Sequence, residues 1–126
     1  MKLYSLIIKK FFLNEFFTSG IVHWVFIGSL VVNLANWGLI IFFIRPVDFL
    51  LILHYNVYFG VDIIGPWWQL YFLPLIGIII LSINTILSYL FYQKKERIIA
   101  HLLMLAAFIS QVGITIASVS ILMMNY

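Results

Sequence analysis

Hydrophobic residues run almost without interruption through three stretches of the chain, roughly Ile21–Ile44, Trp67–Tyr92 and Ile98–Met124, and none of the three contains a charged side chain. Each exceeds the ~20 residues that a helix needs to cross a hydrocarbon layer about 30 Å thick. The pattern therefore predicts three transmembrane helices. The first stretch is too long for the apolar segment of a cleaved signal peptide and has no small-residue exit, so it reads as a retained span.

Residues 1–19 follow a different pattern. Leu3, Tyr4, Ile7, Ile8 and Phe11 gather on one side of a helical projection, with Lys2, Ser5 and Lys9 opposite. This spacing predicts an amphipathic helix lying in the membrane interface, with Thr18-Ser19-Gly20 as the break before the first span. The alternative is a frayed leader. The expected fold class is thus all-α membrane. It has an interfacial helix over 1–19, a three-helix transmembrane domain over 20–126, and a short cap over 45–66 on the far side.

Polar positions inside the spans predict how the helices meet. Ser29, Asn33 and Asn36 share one face of the first span, Asn84 lies in the second, and Gln111 lies in the third. An amide in hydrocarbon must find a partner, so Asn33, Asn36, Asn84 and Gln111 are expected to join helices by hydrogen bonds. In the third span Ala106, Ser110, Gly113, Ala117 and Ser120 repeat at 4-3-4-3 spacing. Small residues on one face permit close backbone approach, and this stripe is expected to pack against span one or two, or else to form a seam with a second copy or partner subunit. Pro74 predicts a kink near the start of span two.

Charge changes the picture by giving orientation. Six of the seven Lys and Arg residues lie before span one or between spans two and three, whereas the other side holds Arg45 with Asp48 and Asp62. The positive-inside rule then places the N-terminus in the cytoplasm, residues 45–66 outside, the Lys94–Arg97 turn inside and the C-terminus outside. Trp24, Trp67, Trp68, Tyr71 and Tyr92 fall near the predicted interfaces. With 65% hydrophobic and 9% charged residues among 126, the chain cannot solvate a free globule. Its net charge of +3 fits the positive-inside bias, and the low charge density argues against a nucleic-acid partner.

Candidate chemistry is sparse. The absence of cysteine excludes disulfides, thiolate metal sites and thiol catalysis. His23 and His101 belong to one side of the membrane and His54 to the other, so at most two histidines can meet; a His23–His101–Glu96 cluster is conceivable, and no metal or other cofactor is expected. No Ser-His-Asp set, phosphate loop or H-E-x-x-H motif is evident, and no catalytic residue is assigned.

The segment 45–66 is too apolar and aromatic for a plain loop. Its β-branched and aromatic residues suit short strands, with Gly60 and Gly65-Pro66 as turn punctuation, and it predicts a mini-hairpin or compact cap on the outer leaflet. His54, Tyr55, Asn56, Tyr58, Asp62 and Trp67 form the candidate partner or ligand surface. For His54, Asn56 and Asp62 the competing expectation is structural: they bond turns and each other and anchor the cap to the helix ends.

Leu53-His54-Tyr55-Asn56 with Tyr58-Phe59-Gly60-Val61-Asp62-Ile63-Ile64-Gly65-Pro66-Trp67 resembles small three-span proteins of candidate-phylum bacteria, over about residues 45–126. His54-Tyr55-Asn56, Gly60, Asp62 and Gly65 ahead of Leu73-Pro74 resemble, over about residues 50–76, a bacterial membrane domain whose H-F-N-x-x-G stretch accompanies peptide-toxin immunity proteins. The resemblance implies a bacterial inner membrane and an outer loop linking two spans. It implies no activity. The expected role is a non-catalytic accessory or scaffold protein engaging the lipid bilayer and another membrane protein or a second copy. Ligand sensing or immunity at the outer face, and a subunit of an oligomeric transporter, are the alternatives.

Orientation is directly testable because the chain lacks cysteine. In intact cells, an impermeant thiol reagent should label Val57→Cys and spare Gln93→Cys; the reverse pattern would overturn the charge argument.

Overall fold

The computed structural model describes residues 1–126, apart from the side chains of Phe11 and Phe12. Helix α1 spans Lys2–Phe12 and α2 spans Glu15–Thr18. The three long helices are α3 (Gly20–Phe43), α4 (Phe72–Gln93) and α5 (Arg97–Asn125). Strands β1 (Leu51–Asn56) and β2 (Gly60–Gly65) pair antiparallel between α3 and α4, and a 3-10 turn over Trp67–Tyr71 leads into α4. Three helices are long and apolar enough to cross a membrane, and most residues in each face outward rather than into the protein. Such an apolar exterior needs lipid around it, which makes this a multi-pass membrane protein.

Between the helices the packing is built from small and polar side chains. The buried positions are Val22, Ser29, Asn33, Asn36 and Ile40 on α3; Pro74, Gly77, Leu81 and Ser88 on α4; and Ala100, Met104, Ala107, Gln111, Ser118 and Leu122 on α5. At mid-bundle three helices meet through amides. Asn33 Nδ2 donates to the Pro74 carbonyl at 2.9 Å and to Gln111 Oε1 at 3.0 Å, and Gln111 Nε2 donates to the Gly77 carbonyl at 2.7 Å. Ser88 Oγ adds an inter-helix bond to the Ala100 carbonyl at 2.6 Å.

This junction corrects two expectations. The small stripe Ala106, Ser110, Gly113, Ala117, Ser120 does not pack inside the bundle. Ser110 is half-buried and the other four residues are exposed, and nothing lies within 4 Å of where a Gly113 side chain would begin. The buried face is the neighbouring one, through Ala107 and Gln111. Turning Gln111 outward would strand an amide in hydrocarbon at several kcal/mol. Turning the small stripe outward costs little, because Ser110 and Ser120 return their hydroxyls to the carbonyls of Ala106 and Ile116 on their own helix. Nor does Asn84 join helices: it is half-buried and donates to Ile80 of α4 itself. Asn36 is buried as expected of its face, but its Oδ1 has no hydrogen-bond partner.

The N-terminal segment is two helices rather than one. Every described side chain of α1 is exposed, Leu3, Tyr4, Ile7 and Ile8 among them; Phe11, counted on the same face, lies outside the described side chains. The chain then turns at Asn14, whose side chain caps α2 by accepting from the Phe16 amide at 3.1 Å. Phe16 is driven fully into the bundle, among Val22, Met104, Tyr89 and Tyr92, with edge-on ring contacts at 5.7 and 5.5 Å to the two tyrosines.

Helices α4 and α5 are joined by Lys94, Lys95 and Glu96. Lys95 and Glu96 amides donate back to the Tyr92 and Phe91 carbonyls at 3.1 and 3.0 Å, a Schellman stop whose left-handed position is normally glycine. Here it is Lys95, at φ 62°. A side chain in that conformation costs about 1–2 kcal/mol.

A Cβ on Gly77 would stand 2.7 Å from both Asn33 Nδ2 and Gln111 Oε1. Gly77→Ala should therefore displace the junction and lower unfolding stability in detergent by about 1–3 kcal/mol. Gly113→Ala, facing open space, should shift it by less than about 0.5 kcal/mol. Equal melting temperatures for the two would contradict the junction.

Candidate functional site

The outer segment is the part of the molecule where the candidate residues converge. After α3 the chain runs extended through Ile44, which is buried, and reaches β1 by an irregular stretch containing Pro46. Leu51 faces Gly65, Ile52 faces Ile64, Tyr55 faces Val61 and Asn56 faces Gly60. The loop between the strands is Val57-Tyr58-Phe59. Asn56 Oδ1 accepts from the Tyr58 amide at 2.8 Å, and Gly60 closes the turn at φ 78°, a conformation that side chains resist.

The pairing slips at His54, which faces Ile63. The register is the same on either side of the slip, so His54 and Asp62 lie across the ladder from one another. His54 Nδ1 stands 2.7 Å from Asp62 Oδ1, with side chains 57% and 36% exposed. The structure thus brings these two candidates together and uses Asn56 in the turn. It does not use any of the three to anchor the cap. An exposed pair of this kind is worth about 0–1 kcal/mol.

The anchor is a residue that the sequence did not single out. Asn125, at the end of α5, donates from Nδ2 to the Ile52 carbonyl at 2.7 Å and accepts at Oδ1 from the Ile52 amide at 2.8 Å. Its amide imitates a third strand and satisfies both backbone groups of one β1 residue. The same Nδ2 lies 2.9 Å from the Ile121 carbonyl. Below this clamp Leu51 is buried with Ile40, Ile44, Leu70 and Leu122, and Leu53, Val47, Trp67 and Tyr71 pack around them. Trp67 is half-buried in that cluster, its ring edge-on to Tyr71 at 6.2 Å, so it serves the base of the hairpin rather than its surface.

What remains on the surface is Tyr55, the His54–Asp62 pair, and the tip. Val57, Tyr58 and Phe59 are 85%, 91% and 84% exposed. Such an arrangement offers aromatic and aliphatic contact area, one imidazole–carboxylate pair and phenol hydroxyls. Elsewhere, His23 is exposed beside Trp24, and His101 is half-buried with its Nε2 unpartnered. Among the described residues no three metal-ligating side chains come together.

No family model, curated protein or solved structure matches this chain.

If Asn125 holds the hairpin, Asn125→Ala should leave the Ile52 amide and carbonyl unpaired and destabilise the hairpin by about 1–3 kcal/mol. His54→Ala should cost less than about 1 kcal/mol. Hydrogen exchange at the Ile52 amide measures both, and faster exchange in the His54 variant than in the Asn125 variant would reverse the assignment.

Proposed function

We propose that this protein is a small non-catalytic scaffold or accessory subunit, oriented with its N-terminus in the cytoplasm and its hairpin outside, that presents the hairpin to another membrane protein. One observation carries the reading. The hairpin is fixed at its base by the Asn125 clamp and a buried apolar cluster, yet its tip, Val57-Tyr58-Phe59, is bare. A rigid base keeps the entropy cost of binding low, and exposed aromatic residues are the side chains that most often dominate binding energy. The six-to-one split of Lys and Arg supports the orientation, and the outer-segment resemblance supports a bacterial inner membrane.

A second reading rests on the exposed His54–Asp62 pair beside Tyr55 in sequence: recognition of a peptide or ligand at the outer face, as in immunity or sensing. It needs polar groups to dominate where the first needs the apolar tip. Transport by one copy finds little support, because the Asn33–Gln111–Gly77 junction occupies the meeting point of the three helices.

The two readings separate in membranes. A photo-crosslinking amino acid in place of Tyr58 should join this 14.7 kDa chain to one protein of defined mass. That adduct should disappear with Phe59→Ser and survive Asp62→Asn. Loss with Asp62→Asn alone would favour ligand recognition; adducts to lipid alone would reject the scaffold reading.

A further inference from the structure

The end of the bundle opposite the hairpin holds a crevice of about 840 Å³. It opens where the break between α1 and α2 faces the turn joining α4 to α5. Lys10, Lys95 and Arg97 line it together with Asn14, Glu15 and Gln93. Three cations thus face one carboxylate. Glu15 does not neutralise them: its nearest contact is Arg97 at 3.9 Å, and the two side chains are 83% and 63% exposed.

Two parts of the wall are tied to the bundle. Asn14 Oδ1 accepts from Gln93 Nε2 at 3.0 Å while it caps α2, which ties the α1–α2 break to the end of α4. Fully buried Phe16, two residues on, holds that break against the bundle. The Arg97 guanidinium lies 5.3 Å over the Tyr92 ring, which steadies it without consuming its donors. The Lys95 backbone closes the turn beside them at φ 62°, where a glycine would be unstrained, and its side chain is exposed at the rim.

The chemistry selects the ligand. Two ammonium groups and a forked guanidinium, converging on a concave site with an amide beside them, match a group carrying several anionic oxygens. The site also lies at the ends of two membrane-spanning helices, beside α1 with its uncovered apolar residues, and therefore at headgroup depth. Basic pockets between transmembrane helices at this depth take phosphate headgroups. We infer that the crevice is a phosphate-binding site, formed by Lys10, Lys95 and Arg97, that holds the headgroup phosphate of an anionic phospholipid or a free phosphate of the same chemistry.

Lys95→Gly is the decisive variant, because it removes the ammonium and relieves the backbone at once. Full-length protein in phosphatidylcholine nanodiscs containing phosphatidylglycerol would be released and its retained lipids counted by native mass spectrometry. Lys95→Gly and Arg97→Gln should each weaken phosphatidylglycerol retention about fivefold, with the melting temperature of Lys95→Gly raised. Lys94→Gln, the same loss of charge on the same turn but outside the crevice, should retain phosphatidylglycerol as the unaltered chain does. Displacement of the lipid by millimolar inorganic phosphate would identify free phosphate as the source, and resistance to it would identify the lipid. Retention unchanged in Lys95→Gly, or lowered equally in Lys94→Gln, would overturn the site.

Discussion

Everything in this fold is hung on the amides of Asn33 and Gln111. In hydrocarbon, lipid tails are as apolar as leucine and cannot drive helices together, so the helices are fixed by groups that lipid cannot satisfy. Asn33 reaches Pro74 and Gln111, and Gln111 reaches Gly77, so one network sets the rotation, depth and separation of all three helices. Gly77 permits the approach: a larger side chain would occupy the space of both amides. Proline one turn earlier contributes a carbonyl that also accepts from the neighbouring helix.

The rotation set at Gln111 propagates along α5. Arg97, Met104, Gln111, Ser118 and Asn125 are spaced by sevens and form a slowly winding line that drifts about 20° per step around the helix. Arg97 lines the crevice, Met104 packs on Phe16, Gln111 makes the junction, Ser118 is buried, and Asn125 clamps β1. Fourteen residues of helix cover about 21 Å, so each end of this line lies near one membrane interface. Depth fixed in the middle is therefore depth delivered at both ends. The opposite consequence is the exposed small stripe, which is what the other side of α5 becomes once Gln111 faces in.

The spans, the polar face of α3 and the hairpin were legible because each is written in local pattern: uninterrupted apolar length, i, i+4, i+7 spacing, and β-rich residues between glycines. The rotation of α5 was not. The Gly113 face carries five small residues at 4-3-4-3 spacing, whereas the Gln111 face mixes Ala107, Gln111 and Ser118 with Met104 and Leu122, so spacing favours the face that turns out to be exposed. The cost of an unpaired amide ranks them, and that cost depends on partners on other helices. Asn84 carries the same amide as Asn33 but meets no neighbouring helix, so it falls back on its own. Asn125 could not be recognised for a related reason: a terminal asparagine after an apolar span looks like a helix end, and only the arrival of β1 beside it makes it a clamp. Phe16 was hidden by its neighbours, since one aromatic among several in an amphipathic stretch gives no sign that it is the one to be fully buried, with Phe17 beside it.

The two ends of the molecule are held by different physics, and that difference bears on what each can do. At the hairpin end the fixing contacts are neutral amide hydrogen bonds and a buried apolar cluster, both indifferent to salt. The imidazole–carboxylate pair there, His54–Asp62, is exposed and fixes little. At the other end the contacts are aromatic and charged: Phe16 between tyrosines, Arg97 over Tyr92, and Arg97 at a long distance from Glu15. A hairpin held by neutral amide bonds and apolar burial keeps its shape whatever the ionic strength of the medium around it. A crevice whose cations are incompletely paired keeps a positive field that salt screens. The same helix joins the two ends: α5 carries Arg97 to the crevice and Asn125 to the clamp on β1, so one rigid element positions both.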